Sequence, residues 1–143
     1  MQDADLRRGA ENLLVTCGGL RAGDHLLILR EDPANGYYDA AIAGAVLDSA
    51  GELGIKAQAE ILPFDPMGAA LPPTLVERMK AADRVLVLSR SGDQIRFNAD
   101  MQGIRPIMSY ALDAGMLASG FGRANYQGFV ALKDAVNALM AAA

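Results

Sequence analysis

The side chains best suited to chemistry follow three predicted strands, at the point where each strand ends. Arg30, Glu31 and Asp32 follow the first strand, Asp65 follows the second, and a polar loop beginning at Ser89 follows the third. Because the carboxyl ends of parallel strands meet at one edge of a sheet, we expect these loops to converge. The residues predicted to bind a ligand there are Arg30, Asp32, Asp65, Ser89, Arg90, Asp93 and Arg96.

Mixed charges at such an edge are suited to an anionic or zwitterionic ligand. Arginine offers a planar fork of donors that matches a carboxylate. The alternative is that these polar loops simply face water, as loops at strand ends usually do. The sequence leaves both interpretations open.

Groups that catalyse reactions by themselves are scarce in this chain. It contains one histidine, His25, and one cysteine, Cys17. His25 is predicted at the amino end of the first strand, away from the edge where α/β active sites lie, and Cys17 falls on the apolar stripe of the first helix. A single thiol excludes an internal disulfide and a cysteine-based zinc site. We therefore predict no catalytic residue and no metal site within this chain.

The glycine-rich segments do not match a dinucleotide fingerprint. Residues 18–23 precede a strand instead of joining a strand to a helix, and the loop at 31–36 carries two acids that would repel a pyrophosphate. Residues 120–122, beside Arg123, are interpreted as a flexible loop, with an anion site as the alternative.

Composition excludes several classes of partner. The 143 residues carry a formal net charge of −4 with no basic run, which argues against nucleic-acid binding. The acidic N-terminus lacks the pattern of a secretory signal, and the most apolar stretch, residues 40–47, is too short to span a bilayer. We predict a cytoplasmic protein that does not bind a membrane.

Apolar patterning predicts four strands. Continuous runs at 26–29 and 85–88 are typical of strands covered on both faces, whereas residues 56–63 alternate as an edge strand does. The fourth strand is predicted over 104–110, with Pro106 near its start. Helices are predicted over residues 4–17, 37–53, 73–82, 94–102 and 113–119, and after Asn125.

The last helix has a clear start signal and a clear apolar face. Asn125 is a good N-cap, and the apolar face consists of Phe129, Leu132, Val136 and Leu139.

Alternation of strands and helices predicts an α/β fold with parallel pairing through right-handed crossovers. The predicted sheet is short and mostly parallel, with about four strands in the order 2-1-3-4 and helices on both faces, as in Rossmann-like or flavodoxin-like folds. Residues 1–143 are interpreted as a single domain, either a whole protein or the N-terminal part of a longer one.

Three segments carry a family resemblance. They are residues 20–28, residues 82–87, and the strand-then-helix stretch from Ile104 through Asn125 and Tyr126. On these segments the chain resembles the N-terminal α/β domain of the aminopeptidase T family of metallo-aminopeptidases, whose relatives include a dihydroxypyridine dioxygenase.

The resemblance implies a role without catalysis for this chain. In that family the metal-binding Glu, His, Tyr and Asp residues lie in a C-terminal domain, to which nothing here corresponds. Any divalent metal would therefore be bound by such a domain, and no catalytic residue is carried over. The N-terminal domain of the family helps to wall the substrate cavity and supports dimers.

Three hypotheses about function follow from the sequence. The first is a non-catalytic accessory domain that shapes a substrate cavity or supports dimerisation. The second is a stand-alone module that binds a small anionic, zwitterionic or peptide-like ligand. The third is a self-association domain that forms a homodimer through the small-residue face near Gly44.

Overall fold

Four parallel strands form one sheet in the computed structural model, which describes residues 2–68, 70–96, 103–104 and 106–142. The strands are β1 (His25–Arg30), β2 (Lys56–Ile61), β3 (Arg84–Leu88) and β4 (Pro106–Met108). Their order is β2-β1-β3-β4, and every neighbouring pair is parallel. The predicted strand order and the edge position of β2 are confirmed.

The two central strands bury side chains on both faces of the sheet. Leu26 and Ile28 of β1 point into one core cluster, while Leu27 and Leu29 point into another. β3 divides its side chains between the same two clusters in the same way. This two-sided burial is the physical reason that both strands are continuous apolar runs.

In the described part of the chain the α-helices are α1 (Gln2–Glu11), α2 (Ala40–Glu52), α3 (Pro73–Ala81), α4 (Ser91–Ile95), α5 (Ala114–Ala118) and α6 (Tyr126–Ala141). Side chains of α1, α2 and α5 pack on one face of the sheet, and side chains of α3 and α4 pack on the other. The prediction of helices on both faces is therefore confirmed.

The first predicted helix changes its geometry part of the way along. After α1 the chain continues as a π-helix over Asn12–Cys17, in which the Gly18 N–H donates to the carbonyl of Leu13 at 3.0 Å. We call Asn12–Cys17 the π segment. A π-helix widens the turn by one residue, which the apolar spacing of the sequence did not indicate.

Two other helices differ from their predicted bounds. The helix predicted from residue 37 begins at Ala40, because the Asp39 side chain accepts from the Ala41 N–H at 2.9 Å and caps it there. The helix predicted over 94–102 corresponds in part to α4, and residues 97–102 lie outside the described part of the chain.

The last helix leaves the body of the domain. Asn125 caps α6 as predicted, since its side chain accepts from the Gly128 N–H at 3.1 Å. No described residue of α6 is buried, and every residue from 131 to 142 is exposed. The predicted apolar face of this helix therefore lies open to solvent.

Among the described residues, no helix combines the length and apolar character needed to cross a membrane.

Candidate functional site

A cluster of polar and aromatic side chains occupies the carboxyl edge of the sheet. Glu31 follows β1 and Arg90 follows β3, and the two residues form an ion pair. Ser109 and Tyr110 follow β4 at the same edge. The loops after β1 and β3 thus meet there, as parallel pairing requires.

Glu31 is the buried centre of this cluster, with only 1% of the residue exposed. Arg90 donates to both of its carboxylate oxygens from Nε, at 3.0 and 3.1 Å, and also from Nη2 and from the backbone N–H. Asn35 Nδ2 adds a hydrogen bond at 3.2 Å. Burial opposes ionisation of Glu31, but the hydrogen bonds from Arg90 and Asn35 outweigh it and lower the pKa of the carboxyl group.

The guanidinium of Arg90 also contacts two aromatic rings. Its guanidinium carbon lies 4.0 Å from the centroid of the Phe64 ring and 4.6 Å from that of Tyr37. These distances place both rings within cation–π range. Arg90 therefore joins the segments that follow β1, β2 and β3, and its Nε and Nη2 groups both donate to Glu31. Hydrogen bonding to Glu31 raises the pKa of Arg90, so that its charge is permanent.

A second, more exposed group lies beside the first. The Tyr110 hydroxyl donates to Asp93 Oδ1 at 2.8 Å, and Arg96 Nη1 donates to the Tyr110 hydroxyl at 3.3 Å. Arg96 Nη2 lies 3.5 Å from the same Asp93 oxygen. The hydrogen bond to Asp93 raises the pKa of Tyr110. Two of the predicted ligand-binding residues, Asp93 and Arg96, are therefore brought together.

Tyr38 is a buried member of the edge. Its hydroxyl donates to the Ser109 carbonyl at 3.4 Å, and burial, helped by nearby negative groups, raises its pKa to about 12. A tyrosine with this pKa stays neutral near pH 7, so Tyr38 acts here as a hydrogen-bond donor.

The remaining predicted residues serve their own loops. Asp32 accepts from the Ala34 N–H at 2.9 Å, and Asp65 accepts from the Met67 N–H at 2.8 Å. Ser89 is buried and its hydroxyl accepts from the Ser91 N–H at 3.2 Å. Arg30 is half-buried at the end of β1. These contacts stabilise turns, and the ligand role predicted for the seven residues stays a prediction.

His25 lies at the opposite end of the sheet. It begins β1, its side chain is exposed, and its Nδ1 is 3.5 Å from Asp83 Oδ2. The same carboxylate oxygen accepts from the His25 N–H at 2.8 Å, and this bond lowers the pKa of Asp83. The predicted position of His25 at the amino end of the first strand is confirmed. In the described part of the chain, no group of three or more His, Cys, Asp or Glu residues could hold a metal ion.

A cavity of about 570 Å³ opens beside β4, and Ser109 and Tyr110 of the carboxyl edge contribute to its lining. It lies between β4, the π segment, α5 and the start of α6, and its lining includes Cys17, Ile107, Leu117, Phe121, Tyr126 and Phe129. Cys17 is half-buried there, and burial raises the pKa of its thiol. A cavity with this lining is suited to apolar groups.

The π segment and the loop before α6 are tied together at the border of this cavity. Asn12 Nδ2 donates to the carbonyls of Gly122 and Ala124, at 2.9 and 3.0 Å. Arg84 Nε donates to the Gly18 carbonyl at 2.9 Å on another side of the cavity. The side chains of Asn12 and Arg84 therefore hold the backbone segments that form the walls of the cavity.

Sequence reasoning missed the aromatic part of the edge and the cavity. Tyr37, Tyr38 and Phe64 contribute rings or a hydroxyl to the cluster, yet they were not among the predicted site residues. The adjacent pair Tyr37-Tyr38 in the loop after β1 was the available signal. No local pattern marks the cavity, because its walls come from four separate parts of the chain.

Comparison with known proteins gives a likeness of fold. No protein-family model matches the chain, and no curated protein sequence matches it. Among solved structures, 2,5-dihydroxypyridine dioxygenase from Pseudomonas putida KT2440 is similar, with a TM-score of 0.53 and 20% sequence identity. The alignment covers 75% of this chain and 34% of the dioxygenase chain. The resemblance to the dioxygenase is therefore supported at the level of the fold. The resemblance to the aminopeptidases stays a prediction.

Proposed function

We propose that this chain is a non-catalytic accessory domain, comparable in role to the N-terminal domain of a metallo-aminopeptidase. Its task is to provide one wall of a substrate cavity and a surface for assembly. The observation that carries this proposal is the open, largely apolar cavity beside β4. β4 is the last strand of the sheet, so that another domain or polypeptide can approach its outer edge.

The side chains that line the cavity are more suited to forming one wall of a substrate cavity than to catalysing a reaction. None of the described lining residues is a histidine, an aspartate or a glutamate. Cys17 is the only thiol among them, and its raised pKa keeps it protonated at neutral pH. At the carboxyl edge, Arg90 is paired with Glu31 and Arg96 with Asp93.

The likeness to a longer chain supports the same proposal. The shared fold occupies 34% of the dioxygenase chain, so in that protein it is one part among others. We propose that the reacting groups that work with this domain, and any divalent metal, are likewise held outside the 143 residues. The dioxygenase and the aminopeptidases are both candidates for the class of chemistry that the cavity serves.

The proposal predicts that the purified chain is inactive on its own. With Zn²⁺ or Co²⁺ added, we expect no hydrolysis of a leucyl p-nitroanilide above the rate in buffer. The coding sequence beyond Ala143, or a neighbouring gene, is expected to encode a segment rich in His and Glu. Metal-dependent hydrolysis that co-purifies with this chain through successive columns would contradict the proposal.

The exposed Tyr110, Asp93 and Arg96 group favours a second candidate, the binding of a small anionic or zwitterionic ligand. A ligand that binds the folded state raises the melting temperature. We expect small carboxylates to raise it by a few degrees if this candidate is right, and Arg96→Gln to abolish the rise. Arg90 is a poor test residue, because its loss would also release the buried Glu31. An unchanged melting temperature at high carboxylate concentration would exclude this candidate.

A further inference from the structure

The cavity beside β4 contains a single charged side chain among its described lining residues. That side chain belongs to Arg84, the first residue of β3, which lies beside Gly18 at the end of the π segment. The other lining residues are uncharged, and Leu13, Ile107 and Leu117 supply large aliphatic side chains. Sites for small ligands commonly combine an apolar lining with a few polar groups that fix the orientation of the ligand.

Two backbone carbonyls hold the guanidinium of Arg84 in place. Its Nε donates to the Gly18 carbonyl at 2.9 Å, and its Nη1 donates to the Asp83 carbonyl at 2.8 Å. Both acceptors are neutral, and Nη2 has no hydrogen-bond partner among the described residues. The guanidinium is therefore fixed in position and still has N–H groups that can donate to a bound anion.

The positive charge of Arg84 is not neutralised by a contact ion pair within the described residues. Arg78, Arg90 and Arg96 each lie within 4.0 Å of a carboxylate, whereas Arg84 does not. The carboxylate of the preceding residue, Asp83, accepts from the His25 N–H instead. This hydrogen bond is the main cause of the lowered pKa of Asp83, and the charge of Arg84 has only a smaller effect on it. The cavity therefore attracts negative charge at this position.

We propose that the cavity binds an aliphatic monocarboxylate of the fatty-acid class, with its carboxylate on Nη1 and Nη2 of Arg84 and its chain along β4. The inference deepens the proposed function, on which it rests, by naming the class of substrate that the cavity holds. A guanidinium presents a planar fork of N–H groups that matches the two oxygens of a carboxylate. An alcohol cannot accept from both arms of this fork, and an amine would be repelled by its charge.

The shape of the cavity favours an extended chain. Its lining follows the backbone from Pro106 to Ala111, which spans at most about 16 Å at a rise of about 3.3 Å per extended residue. Because Val85 pairs with Pro106, Arg84 lies at the amino end of this path. A ligand with its charged head at Arg84 would thus direct its tail past Ile107. One charge at one end of an otherwise uncharged cavity matches a ligand with one charged head and an apolar tail.

Exposed aromatic rings give the tail apolar surface to cover. Phe121 and Phe129 line the cavity, although they are 77 and 53% exposed. An aliphatic tail that contacts these rings would remove apolar surface from water on both the ligand and the protein. Burial of one CH₂ group is worth roughly a fourfold gain in affinity, and less where the cavity is open. We therefore expect affinity to rise steadily with the length of the chain.

Isothermal titration calorimetry of the purified chain with butyrate, hexanoate, octanoate and 1-octanol tests the proposal. We expect octanoate to bind at least tenfold more tightly than butyrate, because its longer tail covers more of the lining. Octanoate should also bind at least tenfold more tightly than 1-octanol, which has the same tail and no charge. Equal affinities in either comparison would overturn the inference, since they would remove the role of the tail or of the head.

Substitution of Arg84 tests the position of the carboxylate. Arg84→Gln should weaken octanoate binding at least tenfold and leave the affinity for 1-octanol unchanged, which also shows that the cavity remains folded. Arg84→Lys keeps the charge and should lose less affinity than Arg84→Gln. Arg21→Gln is the matched control, because it removes an exposed arginine outside the cavity lining. Equal weakening by Arg84→Gln and Arg21→Gln would overturn the inference.

The thiol of Cys17 reports independently on the position of the tail. Cys17 is half-buried in the cavity lining, so that a bound chain would shield it from reagents in solution. We expect saturating octanoate to slow its reaction with N-ethylmaleimide at least threefold, and butyrate at the same concentration to leave the rate unchanged. Octanoate binding without any change in this rate would place the tail outside the cavity and would overturn the inference.

Two further outcomes separate this inference from the proposed function and its second candidate. Octanoate binding that is lost in Arg96→Gln and kept in Arg84→Gln would place the anion at the exposed Tyr110 group and would overturn the inference. Absence of octanoate binding would also overturn it, while the hydrolysis assay would still decide whether the chain is catalytic. Hydrolysis by the purified chain would contradict the accessory role, and the Arg84 variants would still decide whether the cavity binds octanoate.

Discussion

Arg90→Ala is expected to lower the melting temperature by roughly 10 °C or more, because it strands a buried carboxylate. Glu31 is 1% exposed, and Arg90 supplies donors from its side chain as well as from its backbone. With the side chain removed, only the backbone N–H of residue 90 and Asn35 would remain to stabilise the charge. Thermal unfolding followed by circular dichroism measures the change.

Arg96→Ala is the matched control, since it removes another arginine from the same edge. Its contacts to Tyr110 and Asp93 are exposed, and exposed pairs of this kind contribute little to stability. We expect its melting temperature to stay within a few degrees of the parent chain. Similar melting temperatures for Arg90→Ala and the parent would show that the Glu31–Arg90 pair does not support the fold.

The same pair predicts a specific response to acid. The pKa of Glu31 is lower in the folded chain than its ordinary value, so the unfolded state binds its proton more readily. Its stabilising contribution is therefore complete above the ordinary glutamate pKa and is lost as the pH falls through the lower folded value. In Glu31→Gln this part of the acid dependence should disappear, and denaturant unfolding at several pH values would reveal the difference. A parallel pH dependence in both proteins would contradict the assignment.

Gly9→Ala should destabilise the fold by about 1–3 kcal/mol or more, although alanine is the better helix former. A Cβ at position 9 would lie 2.0 Å from the Leu117 carbonyl oxygen, where α1 packs against α5. Relief of this clash requires the two helices to separate. Urea unfolding measures the free energy, and a midpoint equal to that of the parent chain would argue against this close packing.

Gly44→Ala provides the control with the opposite sign. Gly44 lies within α2, and a Cβ there meets no atom within 4 Å. The substitution should stabilise the fold by about 0.5–1 kcal/mol, through helix propensity alone. Both variants replace glycine with alanine. The difference between their unfolding free energies therefore isolates the effect of packing at Gly9 from the effect of backbone entropy.

The strands of the sheet could be predicted from the sequence because each one has an apolar pattern within a short stretch of the chain. Leu26–Leu29 and Val85–Leu88 are uninterrupted apolar runs, which are typical of strands covered on both faces. β2 has the alternation of an edge strand, and it lies at the edge. With three strands placed and helices between them, parallel crossovers left few alternatives for the order.

The site could be predicted only in outline, because its contacts join distant parts of the chain. The convergence of Glu31 and Arg90 followed from parallel pairing, but their direct ion pair depends on burial that no local pattern encodes. The sequence does not show whether an arginine such as Arg90 pairs with a buried acid or is available to a ligand. Likewise, the spacing in α6 predicted an apolar face without indicating that the domain leaves this face uncovered.

The π segment suggests how the direction of α6 arose and how it could be changed. A hydrogen-bonded turn of π-helix contains one more residue than a turn of α-helix, as expected from the insertion of a single residue. In this chain the turn places Asn12 where it holds the carbonyls of Gly122 and Ala124, just before α6 begins. Relatives that lack one residue between positions 12 and 17 would regain a regular helix and lose this tether. Insertions and deletions at this position would then separate relatives that differ in the direction of α6.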